Sequence, residues 1–238
     1  MSISFVVPAH DEELLIAATL QAIRSAGDAS GVSCEIIVVD DGSTDRTAEI
    51  AREAGARVVP VHVRHIAAAR NAGGRVATGD TLVFVDADTL ITPAVVRALL
   101  TARASGAIGG GTLVHFDQPL PRYARAWAAT FTWMSRRFRL AAGCFLFVAR
   151  DAFTAVGGFD EAYFAAEEIA FSRTLNRRGR FVILSEPVVT SGRKVRTYTQ
   201  AEIWRTFLWL MVRPRDLKRR SALDLWYGPR RADKSLDP

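Results

Sequence analysis

Residues 81–89, TLVFVDADT, decide the fold. Leu82 to Val85 form a short continuous apolar run, the pattern of a strand buried on both faces. The run stops at two aspartates one residue apart, Asp86 and Asp88, with the small Ala87 between them. Carboxylates at the end of a buried parallel strand sit at the rim of an open α/β sheet, where such folds bind ligands. Two hard oxygen ligands there suit a Mg²⁺ or Mn²⁺ ion that keeps waters and binds substrate phosphates. A polar strand end leading into a helix near Pro93 accounts for the same residues without a metal.

Upstream, the same theme repeats. Ile3 to Val7 is a β-rich apolar run stopped by Pro8, followed by the loop Pro8 to Glu12. Leu14, Leu15, Ala18, Ala22 and Ile23 then fall at helical spacing, and Gly27 ends that helix. Glu35 to Val39 reads as a second strand and runs into Asp40-Asp41, after which Gly42 to Asp45 make a turn and N-cap for a helix over Thr47 to Ala54. A strand over Arg57 to Val61 and a helix over Ile66 to Ala77 complete a βαβαβαβ order, which predicts a parallel, doubly wound sheet. Three strand ends thus deliver acids to one edge. There is no G-x-G-x-x-G and no G-x-x-x-x-G-K-[ST], so a nucleotide diphosphate bound here needs a metal rather than a glycine nest.

The chain has 238 residues and ordinary globular composition, with 49% apolar and 24% charged residues. Its net charge of +6 is unevenly placed. From Arg193 onward there are 12 Lys and Arg against 5 Asp and Glu, while residues 1–192 hold 19 against 20. A neutral body with a basic tail points to a polyanionic partner for the tail, either a membrane surface or nucleic acid. Cys34 and Cys144 lack zinc spacing and sit in apolar runs, which predicts buried free thiols in a reducing cytoplasm. The start of the chain has no basic n-region, so no signal peptide is expected, and no apolar run approaches the ~20 residues of a spanning helix.

Five stretches carry a resemblance: FVVPAHDEE (5–13), IIVVDDGSTDRT (36–47), AAARNAGGRVATGDTLVFVDADT (67–89), FVARDAFTAVGGFDE (147–161) and AEEIAFSRTLNRRGR (166–180). In this order and spacing they resemble the inverting family 2 glycosyltransferases of the GT-A fold, over roughly residues 3–192. The resemblance implies a Rossmann-like, mostly parallel sheet flanked by helices, a nucleotide-sugar donor, a divalent metal and one catalytic carboxylate. Pro8, His10 and Glu12 are then expected against base and ribose. Asp41, with Asp40, is expected to accept a hydrogen bond from the base, which favours uracil-type donors and leaves dTDP and GDP open. Arg70 and Asn71 open the R-N-x-G signature, on a helix whose small residues allow close approach to the nucleotide. Asp88 is the expected direct metal ligand, with Asp86 reaching ribose or a metal-bound water. The GGFD loop at 157–160 is expected under the acceptor.

Glu167 and Glu168 open the next predicted helix. Two acids there complement the helix dipole in any protein. The family usually has Glu-Asp at this place, the second member being the general base, so the resemblance assigns the base to Glu168 and acceptor contact or orientation to Glu167. The chain divides, on this reading, into a nucleotide-sugar half (1–108), an acceptor and catalytic half of the same domain (109–192) and a basic tail (193–238). Gly109 to Gly111 read as a turn before a strand over Thr112 to Phe116, and Phe181 to Leu184 as a last strand ending at Glu186-Pro187. Arg122 to Leu140 reads as a helix whose Tyr123, Trp127, Phe131 and Trp133 either stack on an acceptor or pack. His62, His65 and His115 are expected to be structural or solvent-facing, and Arg193 or Lys194 to reach the diphosphate. No Q-x-x-R-W motif follows, which favours single-sugar transfer.

The tail, with Ile203, Trp204, Phe207, Leu208, Leu210, Met211, Lys218 to Arg220, Trp226 and Tyr227, fits either a helix in a membrane headgroup layer or one packed on the body or a partner. The expected protein is a cytoplasmic hexosyltransferase, peripheral on the membrane if the tail binds it, acting on a carbohydrate or lipid-linked acceptor. Two rival readings are a nucleotidyltransferase, which would want a basic glycine-rich loop after the first strand, and a nucleic-acid-binding protein, which leaves the acidic strand ends unexplained.

Overall fold

The computed structural model describes residues 1–223, 227 and 228; Trp226 and the tail beyond Gly228 lie outside the described residues, as do the side chains of Tyr123, Trp127, Lys194, Phe207, Leu210 and Met211. Eight strands form one sheet: β1 (Ser2–Ala9), β2 (Ser33–Asp41), β3 (Arg57–Val61), β4 (Thr81–Val85), β5 (Thr89–Leu90), β6 (Gly109–Phe116), β7 (Phe145–Ala149) and β8 (Phe181–Thr190). The helices are α1 (Ile16–Asp28), α2 (Thr47–Glu53), α3 (Ile66–Val76), α4 (Pro93–Ala104), α5 (Arg122–Phe138), α6 (Arg150–Val156), α7 (Glu167–Asn176), α8 (Arg193–Thr197) and α9 (Gln200–Val212).

The strand order is β3-β2-β1-β4-β7-β6-β8-β5. Strands β3, β2, β1 and β4 are mutually parallel, as the βαβ pattern predicts. The second half departs from it: β7 is antiparallel to both β4 and β6, and β5 is antiparallel to β8. Every residue of β4 and β7 is buried, so both strands have apolar layers on each face. On one face Phe5, Val7, Val83 and Val85 pack with Ile16, Leu20, Ile23 and Leu99 from α1 and α4. On the other, Val6, Leu82 and Phe84 pack with Ala67, Ala69, Phe153, Phe171 and Leu175 from α3, α6 and α7. The alternation is the two-residue period of a strand.

Several boundaries differ from the sequence reading for identifiable reasons. Pro8 does not stop β1: pairing with β2 runs on through Pro8 and Ala9, while pairing with β4 ends at Val6, so the β4 side has no ladder there for a missing N–H to break. The expected turn at Gly109 to Gly111 is strand: a Cβ on Gly110 would lie 2.3 Å from the Val182 carbonyl oxygen and 2.6 Å from the Phe147 ring. β8 continues through Pro187 to Thr190 by way of an irregularity opposite Thr112 and Val114. The glycines of α3 let that helix approach the sheet closely: a Cβ on Gly73 would meet Val6 at 2.3 Å and Val39 at 2.8 Å.

Gly110 gives a stability prediction. The added methyl of Gly110→Ala faces backbone, which cannot rotate away, so overpacking is expected to cost about 1–3 kcal/mol or more. Urea unfolding monitored by circular dichroism checks it, and an unchanged midpoint refutes the close approach.

Candidate active site

A cavity of about 1320 Å³ opens at the C-terminal edge of the parallel strands and runs beneath α5, α8 and α9. It gathers Pro8, His10, Glu12, Asp41, Arg70, Asp86, Asp88, Glu167 and Glu168. Asp40 is not among its lining residues; its carboxylate accepts the Ser43 N–H in the turn after β2 (3.2 Å). The 157–160 loop also stays outside the lining. Asn71 clamps it, donating to the Phe159 carbonyl (2.9 Å) and the Glu161 carboxylate (2.8 Å) and accepting the Phe159 N–H (2.8 Å). That loop braces α3 against α7, with the Phe159 ring stacked on Phe171.

At the first strand ends the acids are engaged with the protein. Asp41, 6% exposed, accepts the backbone N–H groups of Val63, Arg64 and His65 at 2.7, 2.8 and 3.0 Å. His10 is held between the Asp41 carbonyl oxygen (2.8 Å from Nδ1) and the Asp11 carboxylate (3.0 Å from Nε2). Glu12 is buried and receives a two-pronged contact from Arg193 at 2.9 and 3.1 Å, which joins the β1–α1 loop to α8. His65 accepts the Ala68 N–H as the N-cap of α3, while His62 and His115 are exposed. Asp11, Arg64 and Ala166 have positive φ values of 50°, 46° and 62°, and all three line the cavity. Such strain concentrates where function fixes the backbone.

Arg70 ties the two halves of the cavity together. It is 2% exposed and donates to Glu167 at 2.5 Å, to Asp86 at 2.9 Å and to the Gly143 carbonyl at 2.8 Å. It lines the cavity where the resemblance implies a nucleotide contact, and in the resting protein its guanidinium is engaged with the two carboxylates. Despite burial, those carboxylates hold it more firmly protonated than an ordinary arginine. Burial raises the proton affinity of Glu167, and Arg70 opposes that rise.

Glu168 differs from its neighbour. It is half-buried in the cavity wall, and its carboxylate is held by its own backbone N–H at the start of α7, not by a buried cation of its own. Burial first, then the negative charge of Glu167, pushes it up to about 8. Two adjacent acids thus have divided roles: one locked to a cation, the other available with a basic carboxylate facing the cavity.

Asp86 and Asp88 lie across from this pair at the end of β4. Asp86 gives one oxygen to Arg70, while Asp88 has the Thr190 and Thr89 hydroxyls at 3.4 and 3.5 Å. Cys144 adjoins them, and burial with the two aspartates raises its thiol well above its usual value. The two carboxylates at the strand end are hard oxygen donors and fit Mg²⁺ or Mn²⁺. Among the described residues no three His, Cys, Asp or Glu side chains are grouped to hold a metal by themselves. Two carboxylates leave the remaining positions to phosphate and water, as such ions prefer.

Several cavity residues carried no signal in the sequence. Tyr227 donates to the Phe164 carbonyl (2.8 Å), and Leu217 accepts the Phe164 N–H (2.8 Å), so the segment after α9 folds onto the loop before α7. Lys218 lies 4.4 Å from the Tyr163 ring centroid and Arg220 lies 5.6 Å from that of Tyr227. At least this part of the basic tail packs on the body. No helix among the described residues is long and apolar enough to cross a membrane.

Comparison with known proteins agrees with this geometry. The profile of glycosyl transferase family 2 matches residues 4–162. The undecaprenyl-phosphate 4-deoxy-4-formamido-L-arabinose transferase of Edwardsiella ictaluri (strain 93-146) is 36% identical over 120 residues, which are 47% of this chain and 36% of that protein. The chain matches well under half the length of such curated relatives. Among solved structures, S. aureus TarS 1-349 superposes with a TM-score of 0.65 at 17% identity, covering 96% of this chain and 72% of that one. The glucosyl-3-phosphoglycerate synthase from Mycobacterium tuberculosis, solved with Mn²⁺, UDP and glucosyl-3-phosphoglycerate, gives 0.63 at 22% identity, covering 97% and 81%. These structural likenesses establish the GT-A sheet with its flanking helices.

Proposed function

The chain belongs to glycosyl transferase family 2 and is a glycosyltransferase, and on that premise we propose that it moves one hexosyl-type sugar from a nucleotide-sugar donor of the UDP type to an acceptor hydroxyl with inversion. Its products belong to cell-envelope glycan or glycolipid synthesis on the cytoplasmic side, in line with the lipid-linked substrate named for the Edwardsiella relative. The observation that carries the reading is the Glu168 carboxylate in the cavity wall, opposite Asp86 and Asp88 and beside the Arg70–Glu167 pair.

The division of labour follows from these positions. Asp88, with Asp86, would hold Mn²⁺ or Mg²⁺. That ion, when bound, offsets negative charge on the donor diphosphate. Glu168 takes the proton from the acceptor hydroxyl as that oxygen attacks the anomeric carbon from the face opposite the leaving diphosphate. One base and one displacement invert the centre. Arg70 and Glu167 position the base and do not exchange protons with substrate. Pro8, His10 and Asp41 form the end of the cavity suited to the nucleoside, with the protein's own N–H groups already satisfying most of the Asp41 carboxylate.

Thermal unfolding with UDP, GDP and dTDP, each with Mn²⁺ or with chelator, tests the donor class. UDP with Mn²⁺ is expected to raise the midpoint most, since a ligand at 100 times its Kd stabilises by about 2.7 kcal/mol. A larger shift with GDP or dTDP overturns the UDP assignment. No shift with any of them overturns the donor reading.

A further inference from the structure

The cavity is larger than a single small-molecule pocket, about 1320 Å³ against the roughly 300–1,000 Å³ usual for such sites. Its charged groups lie at the strand ends, at α3 and α7 and, in Arg193 of α8, against Glu12. The remainder of the wall is built from Leu113 and Val114 of β6, Ala128 and Met134 of α5, Val195 of α8 and Ile203 of α9. Three of the hydroxyls on that side are spent inside the protein: Ser135 donates to the Leu140 carbonyl (2.5 Å), Thr112 to the Glu186 carbonyl and Thr197 to the Arg193 carbonyl (2.9 Å). A bare sugar needs polar partners in proportion to its own hydroxyls, because burying them unpaired is costly. This wall offers few.

The mouth is equally informative. Of the described lining residues, Phe131 on α5 and Trp204 on α9 are the two that are exposed, at 37% and 44%. They mark where the cavity meets solvent. On the same two helices Trp133, Phe138, Leu208 and Trp209 are also exposed, with Arg137 over the Phe138 ring and Arg213 over the Trp209 ring. Apolar rings with cations beside them match an amphiphile, a chain with an anionic head.

We propose that the outer part of the cavity is a channel for the hydrocarbon chain of the acceptor, entering between α5 and α9 and ending at Glu168. The acceptor class is therefore an amphiphile whose reactive head reaches the carboxylates while its chain lies along β6, α5 and α9. The assignment rests on the transferase reading for the identity of the inner site, and on the apolar wall alone for the chain.

The test uses two probes with the same head and different chains, farnesyl phosphate and isopentenyl phosphate, titrated into the full chain below micelle-forming concentrations. Each buried methylene is worth about 0.8 kcal/mol, so farnesyl phosphate is expected to bind at least ten-fold more tightly. Ala128→Trp, and independently Ile203→Trp on the facing wall, should shrink that preference to about two-fold or less while the UDP and Mn²⁺ thermal shift persists. Equal binding of both probes by the parent overturns the channel, as does a chain preference that survives in both folded variants. Chain preference without a UDP shift keeps the channel and overturns the donor reading. A UDP shift without chain preference does the reverse.

Discussion

Glu168→Gln is expected to lower transfer by roughly 10²-fold or more, the usual scale for a lost general base, with UDP and Mn²⁺ binding retained. Gln keeps the size of the side chain and cannot take a proton. The Gln side-chain carbonyl can still accept the backbone N–H that Glu168 accepts at the start of α7, so the substitution disturbs the resting protein little. The control at Glu167 should split the other way. Glu167 is 4% exposed and contacts buried Arg70 at 2.5 Å, so Glu167→Gln removes half of a buried ion pair, a change that costs up to about 3–5 kcal/mol. Stability is thus expected to fall more at Glu167, and the chemical step more at Glu168, read as single-turnover rate against urea midpoint. A larger rate loss at Glu167 means the pair was assigned in the wrong order. Full activity in both removes the inverting base from consideration.

The same residue sets a pH dependence whose sign is fixed. The Glu168 carboxyl, at about 8 in the folded protein, lies above the ordinary glutamate value of about 4.3. The native state therefore keeps a proton that the unfolded chain has lost, and stability should fall as pH rises from about 4 toward about 8 and then level off. Transfer should move oppositely, rising over the upper part of that range as the basic form accumulates. Measured in chelator, the stability slope should be shallower in Glu168→Gln. An equal slope in parent and variant would assign the proton to another group.

The parallel half of the sheet was legible because strand ends, helix spacing and turn residues agree along residues 3–85. β4 announces itself by four apolar residues and an abrupt acid. The other half was obscure for a geometric reason: antiparallel β7 sits between β4 and β6, and nothing local in Phe145–Ala149 tells which way a fully buried strand points. Three glycines in a row suggest a turn, yet Gly110 is in a strand because a carbonyl and a ring press on it. Only the packed fold contains that fact.

Site residues divide along the same line. The carboxylates Asp86, Asp88, Glu167 and Glu168 were visible as types at strand and helix ends, and they do meet in one cavity. What joins them was not visible. Arg70 stood out only as part of a resemblance, and its guanidinium reaches acids 16 and 97 residues away. Arg193 meets Glu12 across 181 residues. Tyr227 arrives from a tail whose composition suggested a membrane surface, and it reaches the cavity through a single hydrogen bond to Phe164 and another from Ile66 (3.4 Å). Long-range polar contacts leave no periodicity for a sequence to show.

Asp88→Ala is expected to abolish the part of UDP binding that depends on Mn²⁺ while leaving the fold intact. Asp88 sits one residue beyond Asp86, past the end of β4, with its backbone carbonyl accepting the Ser191 N–H (3.2 Å). That backbone contact survives the substitution, and the carboxylate's contacts to the Thr89 and Thr190 hydroxyls are long, at 3.5 and 3.4 Å. Those hydroxyls also face each other at 2.8 Å, so neither is orphaned when the carboxylate goes. Loss of these two hydroxyl contacts is thus expected to cost at most about 1 kcal/mol. The cost to nucleotide binding should be far larger, because no glycine nest replaces the lost charge compensation at the diphosphate. In thermal unfolding the parent should gain stability from UDP only with Mn²⁺, and Asp88→Ala should gain none in either condition. Asp86→Asn serves as the contrast: it weakens a carboxylate that Arg70 already holds, so a reduced but measurable Mn²⁺-dependent shift is expected. Equal, chelator-insensitive shifts in the parent and Asp88→Ala would show that the two aspartates do not hold a metal for the donor.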